Sequence, residues 1–154
     1  IAEDFADAIA RAGADPARLV IEVTESAAMA DMDEAVSVLA TLRSLGAHVA
    51  TDDFGTGHAS LRYLDRLPAT HVKIDREFAS RAHDDPRAAA IVDALAGAAA
   101  AYGMAVVAEG IESAAAARRV RELGCTLGQG YHFGAPQPLD RITALLDADI
   151  RHAV

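Results

Sequence analysis

Five apolar runs in this sequence close on charged or carboxamide side chains, where turn-forming residues would ordinarily stand. They are Val20-Ile21-Glu22-Val23-Thr24-Glu25, Ala50-Thr51-Asp52-Asp53-Phe54, Val72-Lys73-Ile74-Asp75, Val106-Val107-Ala108-Glu109-Gly110 and Gly128-Gln129-Gly130-Tyr131. Strand side chains alternate between faces. With Val72 and Ile74 packed outward, Lys73 and Asp75 point the other way; with Ile21 and Val23 outward, Glu22 and Thr24 turn inward. If the strand ends share one mouth, Glu22, Asp52, Asp53 and Glu109 converge there with Lys73 and Gln129. Carboxylates crowded in this way repel unless they are protonated or bound to cations. Clusters of hard oxygen ligands suit Mg²⁺ or Mn²⁺. Two such ions side by side can polarise a phosphodiester and activate a water. A lone acid at a strand end is ordinarily a solvated loop residue or a helix cap, and an Asp-Asp pair alone is a weak signal. Acids, a lysine and a glutamine at the same end of five successive runs form a pattern that this plain reading does not cover.

The elements that must position these groups alternate as strand and helix. Candidate strands are 18–23, 47–52, 70–75, 105–109 and 126–131, the pattern of βα units in a mostly parallel sheet. Residues 33–45 put Ala35, Val38, Leu39, Leu42 and Leu45 on one helical face, and Gly46 stops that helix. Residues 60–67 read as a short helix capped by Ser60, with Leu61, Leu64 and Leu67 as its stripe and Pro68 after it. Residues 87–102 read as a longer helix with Ile91, Leu95 and Tyr102 inward. Residues 114–123, between Ser113 and Gly124, and 139–147 complete the set. Periodicity alone fits an open doubly wound sheet or part of a (β/α)8 barrel. The polar strand ends favour the barrel, which gives them a common mouth.

With 154 residues, of which 52% are hydrophobic, the chain suits one domain or a large piece of one. Its net charge of −9 repels nucleic acid at long range, so neither DNA nor RNA is expected as a partner. An anionic small substrate would need local cations, which bound metals would provide. The single cysteine, Cys125, excludes an internal disulfide and fits a reducing cytosol. No apolar run reaches bilayer length, and residues 1–10 lack the basic start of a signal peptide. Ile1 opens the chain in what reads as mid-helix, which suggests a piece of a longer protein.

Five ordered strings carry a family resemblance: I-E-V-T-E-S at 21–26, T-D-D-F-G-T-G at 51–57, V-K-I-D-R-E-F at 72–78, V-V-A-E-G-I-E at 106–112 and G-C-T-L-G-Q-G-Y-H-F at 124–133. Together they resemble the later signature blocks of EAL domains, the phosphodiesterases of cyclic di-GMP, and the likeness runs through essentially the whole chain. It implies a modified TIM barrel of which about five of eight strands are present, 1–154 being a partial EAL domain. The implied activity opens cyclic di-GMP to linear pGpG with two Mg²⁺ or Mn²⁺ ions, in bacterial second-messenger signalling. Position by position, it implies that Glu22 is a metal ligand, that Asp52 bridges the two metals and that Asp53 and Glu109 bind the second. Lys73 resembles the lysine that orients or activates the attacking water, and Gln129 the glutamine that positions water and ligand. Glu25 resembles the acid that anchors the loop from Phe54 to Ser60, and Asp75 and Glu112 are supporting acids.

Two departures accompany the resemblance. The Glu-x-Leu motif that names the family, and an asparagine ligand on the next strand, belong upstream of the residues present here. The loop that usually reads Gly-Tyr-Ser-Ser is Gly57-His58-Ala59-Ser60. A five-strand arc leaves an unpaired edge, so 1–154 alone is expected to be poorly stable, inactive or prone to aggregate. The alternative function is a cyclic di-GMP receptor or regulatory module without turnover. Upstream sensor domains, a possible homodimer and a cytoplasmic location, with membrane tethering through other domains left open, complete the expectations.

Other strings carry less. Asp53-Phe54-Gly55 spells a kinase metal motif without the preceding phosphate and catalytic loops, and Gly55-Thr56-Gly57 lacks the third glycine of a dinucleotide fingerprint. His48, His58, His71, His83, His132 and His152 show no metal-ligand spacing, although His71 would line the barrel interior. Cys125 reads as a small buried filler in a strand, and Arg118, Arg119 and Arg121 as a solvated helix face.

Overall fold

In the computed structural model, which describes residues 2–55 and 61–147, the five expected strands form one sheet in the order β1-β2-β3-β4-β5. They are β1 (Val20–Thr24), β2 (His48–Phe54), β3 (His71–Ile74), β4 (Ala105–Ala108) and β5 (Leu127–Gly128). Every pairing is parallel. The strand order follows chain order, as in a barrel wound in one direction, and the molecule is a partial (β/α)8 barrel.

Parallel strands need crossovers, and helices supply them. They are α1 (Ala2–Ala12), α2 (Glu25–Ala30), α3 (Met32–Ser44), α4 (Leu61–Arg66), α5 (Arg76–Ala79), α6 (Pro86–Ala101), α7 (Ala114–Glu122) and α8 (Leu139–Asp147). The start signals are chemical. Asp31 accepts from the Glu34 amide, Asp85 from those of Arg87 and Ala88, and Ser113 from that of Ala116. Pro86 opens α6, where its missing N–H costs nothing. After α3 the chain turns at Gly46 with φ of +100°, as its position past the apolar face predicts.

The core lies between the outer sheet face and the helices. Val49, Val72, Ile74, Val106 and Ala108 meet Leu39, Leu42, Val92, Ala96, Ala99 and Val120 there, all of them buried. At the strand starts a repeated device fixes neighbours. Thr70 Oγ1 lies 3.0 Å from both the amide and the carbonyl of Val49, and Thr126 Oγ1 donates to the Val106 carbonyl while accepting from its amide.

Several expectations need correction. Ile91 and Tyr102 are 37% and 44% exposed, because α6 buries a face made of Ala88, Ala89, Val92, Ala96 and Ala99 instead. Leu45 is 37% exposed, since the helix has ended there and Leu45 is its C-cap. The first strand starts at Val20 because Asp15 caps a 3₁₀ turn over Pro16–Arg18. The last is shorter than 126–131, and Cys125 precedes it rather than lying within it. Cys125 is buried as expected, and burial pushes its thiol up to about 11. Ser60 as a cap, the loop residues 56–60, His58 and His152 lie outside the described residues.

Candidate functional site

Sheet register decides which polar residues meet. Glu22 pairs with Ala50, Thr24 with Asp52, and Lys73 with Val107, so these side chains share the inner face. Glu109 follows β4 two residues after Val107 and holds the same sense, its amide donating to the Ile74 carbonyl. Gln129 follows β5, its amide on the Ala108 carbonyl. Glu22 lies in the middle of β1, and the others stand towards or just past the C-terminal ends of their strands.

Regular alternation would send Asp52 and Asp53 to opposite faces. The strand breaks that rule. Between Thr51 and Phe54 the register against β3 slips, with three steps on β2 matching two from Val72 to Ile74, and Asp53 takes a left-handed conformation with φ of +57°. This is a β-bulge, and Asp is one of the few non-glycine residues that adopts such a backbone. The bulge lets Phe54 return to the buried outer face while the oxygens of Asp52, Asp53 and Glu109 come within 4.8 Å of one another.

Lys73 holds the centre. Its Nζ donates to Glu22 Oε2 at 2.8 Å and Asp52 Oδ1 at 2.8 Å, and lies 2.7 Å from Glu109 Oε1. It is only 6% exposed. Burial alone would lower the lysine pKa, but the carboxylates of Asp52, Glu109 and Glu22 outweigh that and hold it above its ordinary value, so the ammonium stays charged. Glu22 lies outside the group formed by Asp52, Asp53 and Glu109 and joins it through Lys73. Desolvation, then the charges of Asp52 and Asp75 and a hydrogen bond with Asp75, raise the Asp53 pKa against the pull of Lys73.

The remaining expected residues separate. Asp75 caps α5 through the Glu77 amide and contacts Asp53, which ties it to the rim. Glu25 is buried at the start of α2, and the loop it was expected to anchor lies almost wholly outside the described residues. Gln129 is exposed at the mouth. Glu112 stands off the rim in a cleft of about 400 Å³ with Arg76, Glu77, Ser80, Gly110, Gly130 and Tyr131. The sequence reading did not single out Arg76 or Tyr131. Each sits one or two residues beyond a rim residue, Asp75 and Gln129, and that adjacency was the available signal. The cleft exists because Gly110 and Gly130 let backbones close in: a Cβ on Gly130 would stand 2.2 Å from the Ile111 carbonyl oxygen.

The donor set fits a divalent cation. It consists of hard carboxylate oxygens from different elements that lie within 4.8 Å of one another, with Asp53 held in an uncommon backbone conformation.

Comparisons with known proteins find similar sequences and similar structures. The family model described as EAL domain matches residues 1–136. The bifunctional diguanylate cyclase/cyclic di-GMP phosphodiesterase MucR of Pseudomonas aeruginosa is 39% identical over 144 residues, covering 94% of this chain and 21% of MucR. The crystal structure of the EAL domain of Mycobacterium smegmatis DcpA superposes with a TM-score of 0.90 at 32% identity, covering 98% of this chain and 68% of that one. A manganese/cyclic di-GMP complex of Klebsiella pneumoniae BlrP1 gives a TM-score of 0.75 at 33% identity, covering 82% and 32%. The chain thus spans about a fifth of MucR. No helix among the described residues is long and apolar enough to cross a membrane.

Proposed function

Because the chain belongs to the EAL domain family, we propose that its rim is the catalytic end of a cyclic di-GMP phosphodiesterase that yields linear pGpG. The observation that carries this is Lys73 bonded at 2.7–2.8 Å to acids delivered from β1, β2 and the end of β4. Relatives named as cyclic di-GMP phosphodiesterases, and a relative crystallised with manganese and cyclic di-GMP, support the substrate class and the use of a divalent ion.

In this reading Glu22, Asp52, Asp53 and Glu109 are the residues that would hold two Mg²⁺ or Mn²⁺ ions. When bound, the ions neutralise the phosphodiester and activate a water. Lys73 would orient that water with an N–H donor released from one of the three carboxylates it now holds. Asp75 fixes Asp53, and Gln129 offers a carboxamide to water or ligand at the mouth. Water adds to phosphorus as one P–O ester bond breaks, leaving a 5′-phosphate and a free 3′-hydroxyl. The cleft beside the rim has room for a purine against Tyr131, with Arg76 and Glu112 as polar partners.

The test is hydrolysis of cyclic di-GMP by the intact protein with Mg²⁺ or Mn²⁺, followed chromatographically. Asp52→Asn and Lys73→Ala should each lower kcat by about 10²–10³-fold with circular dichroism unchanged. Undiminished turnover in both variants would dismiss the assignment. Binding without turnover in the wild type would identify a receptor instead.

A further inference from the structure

Two demands fall on the same carboxylates. Asp52 and Glu109 belong to the trio able to grip a divalent ion, and both are already engaged by Lys73. The lysine is 6% exposed and rises from β3, with β1 and β2 on one side and β4 on the other. It therefore draws inward acids from every strand flanking it, including Glu22, whose link to the cluster passes through the ammonium.

We infer that Lys73 is a tethered counter-cation: it holds the rim assembled before divalent ions arrive, and it weakens their binding by repelling them. The inference rests on the metal-binding reading above and assigns the lysine a role separate from orienting water. Without metal, one ammonium offsets part of the charge of Glu22, Asp52, Asp53 and Glu109 and fixes three of them in place. With metal, the ammonium and the ion are like charges sharing ligands, a repulsion strong at such range. The carboxylates are preorganised at the expense of affinity, so the site fills and empties with the free concentration of the ion.

The sign of the effect distinguishes this from a merely structural lysine. Removing a group that only scaffolds the site weakens metal binding; removing a repelling charge tightens it. The experiment is Mn²⁺ titration of the intact protein by electron paramagnetic resonance, with thermal unfolding in EDTA and in saturating Mn²⁺, for wild type, Lys73→Met and Lys73→Gln. The neutral variants should bind Mn²⁺ about tenfold more tightly. They should also unfold at lower temperature in EDTA, and most of that loss should disappear with Mn²⁺. A variant recovered folded only with Mn²⁺ present would support the inference. Equal or weaker Mn²⁺ binding, or a thermal loss that Mn²⁺ leaves intact, would overturn it. A wild type that binds no Mn²⁺ would instead remove the metal reading on which it stands.

Discussion

Lys73 and Asp53 illustrate how single residues set the character of the rim: one stays charged because three acids surround it, the other is pushed toward neutrality by desolvation first and by the charges of Asp52 and Asp75 second. At the opposite end of the strands, His48 and His71 meet edge to face with ring centroids 5.2 Å apart, and Thr70 Oγ1 lies 2.8 Å from His71 Nδ1. Burial first, and His48 second, lower the His71 pKa from its ordinary 6.5. The unfolded chain then binds this proton more readily than the folded one. Stability is unaffected above 6.5, falls as pH drops through that value and levels off below the folded pKa. His71→Gln should flatten the fall in unfolding free energy between about pH 7 and pH 5, measured by denaturant titration of the intact protein. Equal slopes in both proteins would contradict this account of His71.

At the scale of elements, the turn after β5 depends on glycine. Gly130 has φ of +155° and packs its Cα against the Ile111 backbone, whose amide bonds to the Gln129 carbonyl. Gly130→Ala should cost about 2–4 kcal/mol of stability by denaturant unfolding, since backbone has no flexible end to yield. A variant as stable as wild type would show that the chain passes elsewhere. The strands were legible in the sequence because each joins an apolar alternation to a polar end, and α3 and α7 because Gly46, Ser113 and Gly124 punctuate them. The short helices α2 and α5 were not, since neither carries the spaced leucine stripe and following proline that marked α4, a helix no longer than α2. Nor was the β2 bulge, whose only trace is two adjacent acids that a regular strand would send apart. The inward residues of α6 escaped for a different reason: pattern favours large side chains, while the face that α6 buries is mostly alanine.

For the molecule as a whole, the residues that matter are spread from Glu22 to Gln129, and only the sheet brings them together. The family resemblance supplied roles, alternation supplied the shared face, and neither contained the lysine-centred network or the cleft beyond it, which arise from side-chain reach across strands. Val20 on β1 and Leu127 on β5, inward by register at the two edges of the sheet, are 48% and 44% exposed. The chain spans 68% of the DcpA EAL domain structure, so the measurement belongs in the intact protein. The most direct one is the number of Mn²⁺ ions bound at equilibrium by wild type and by Asp52→Asn. The account predicts two ions in the wild type and loss of at least one, with hydrolysis, when Asp52 is neutralised. Unchanged Mn²⁺ stoichiometry and affinity in Asp52→Asn would contradict it.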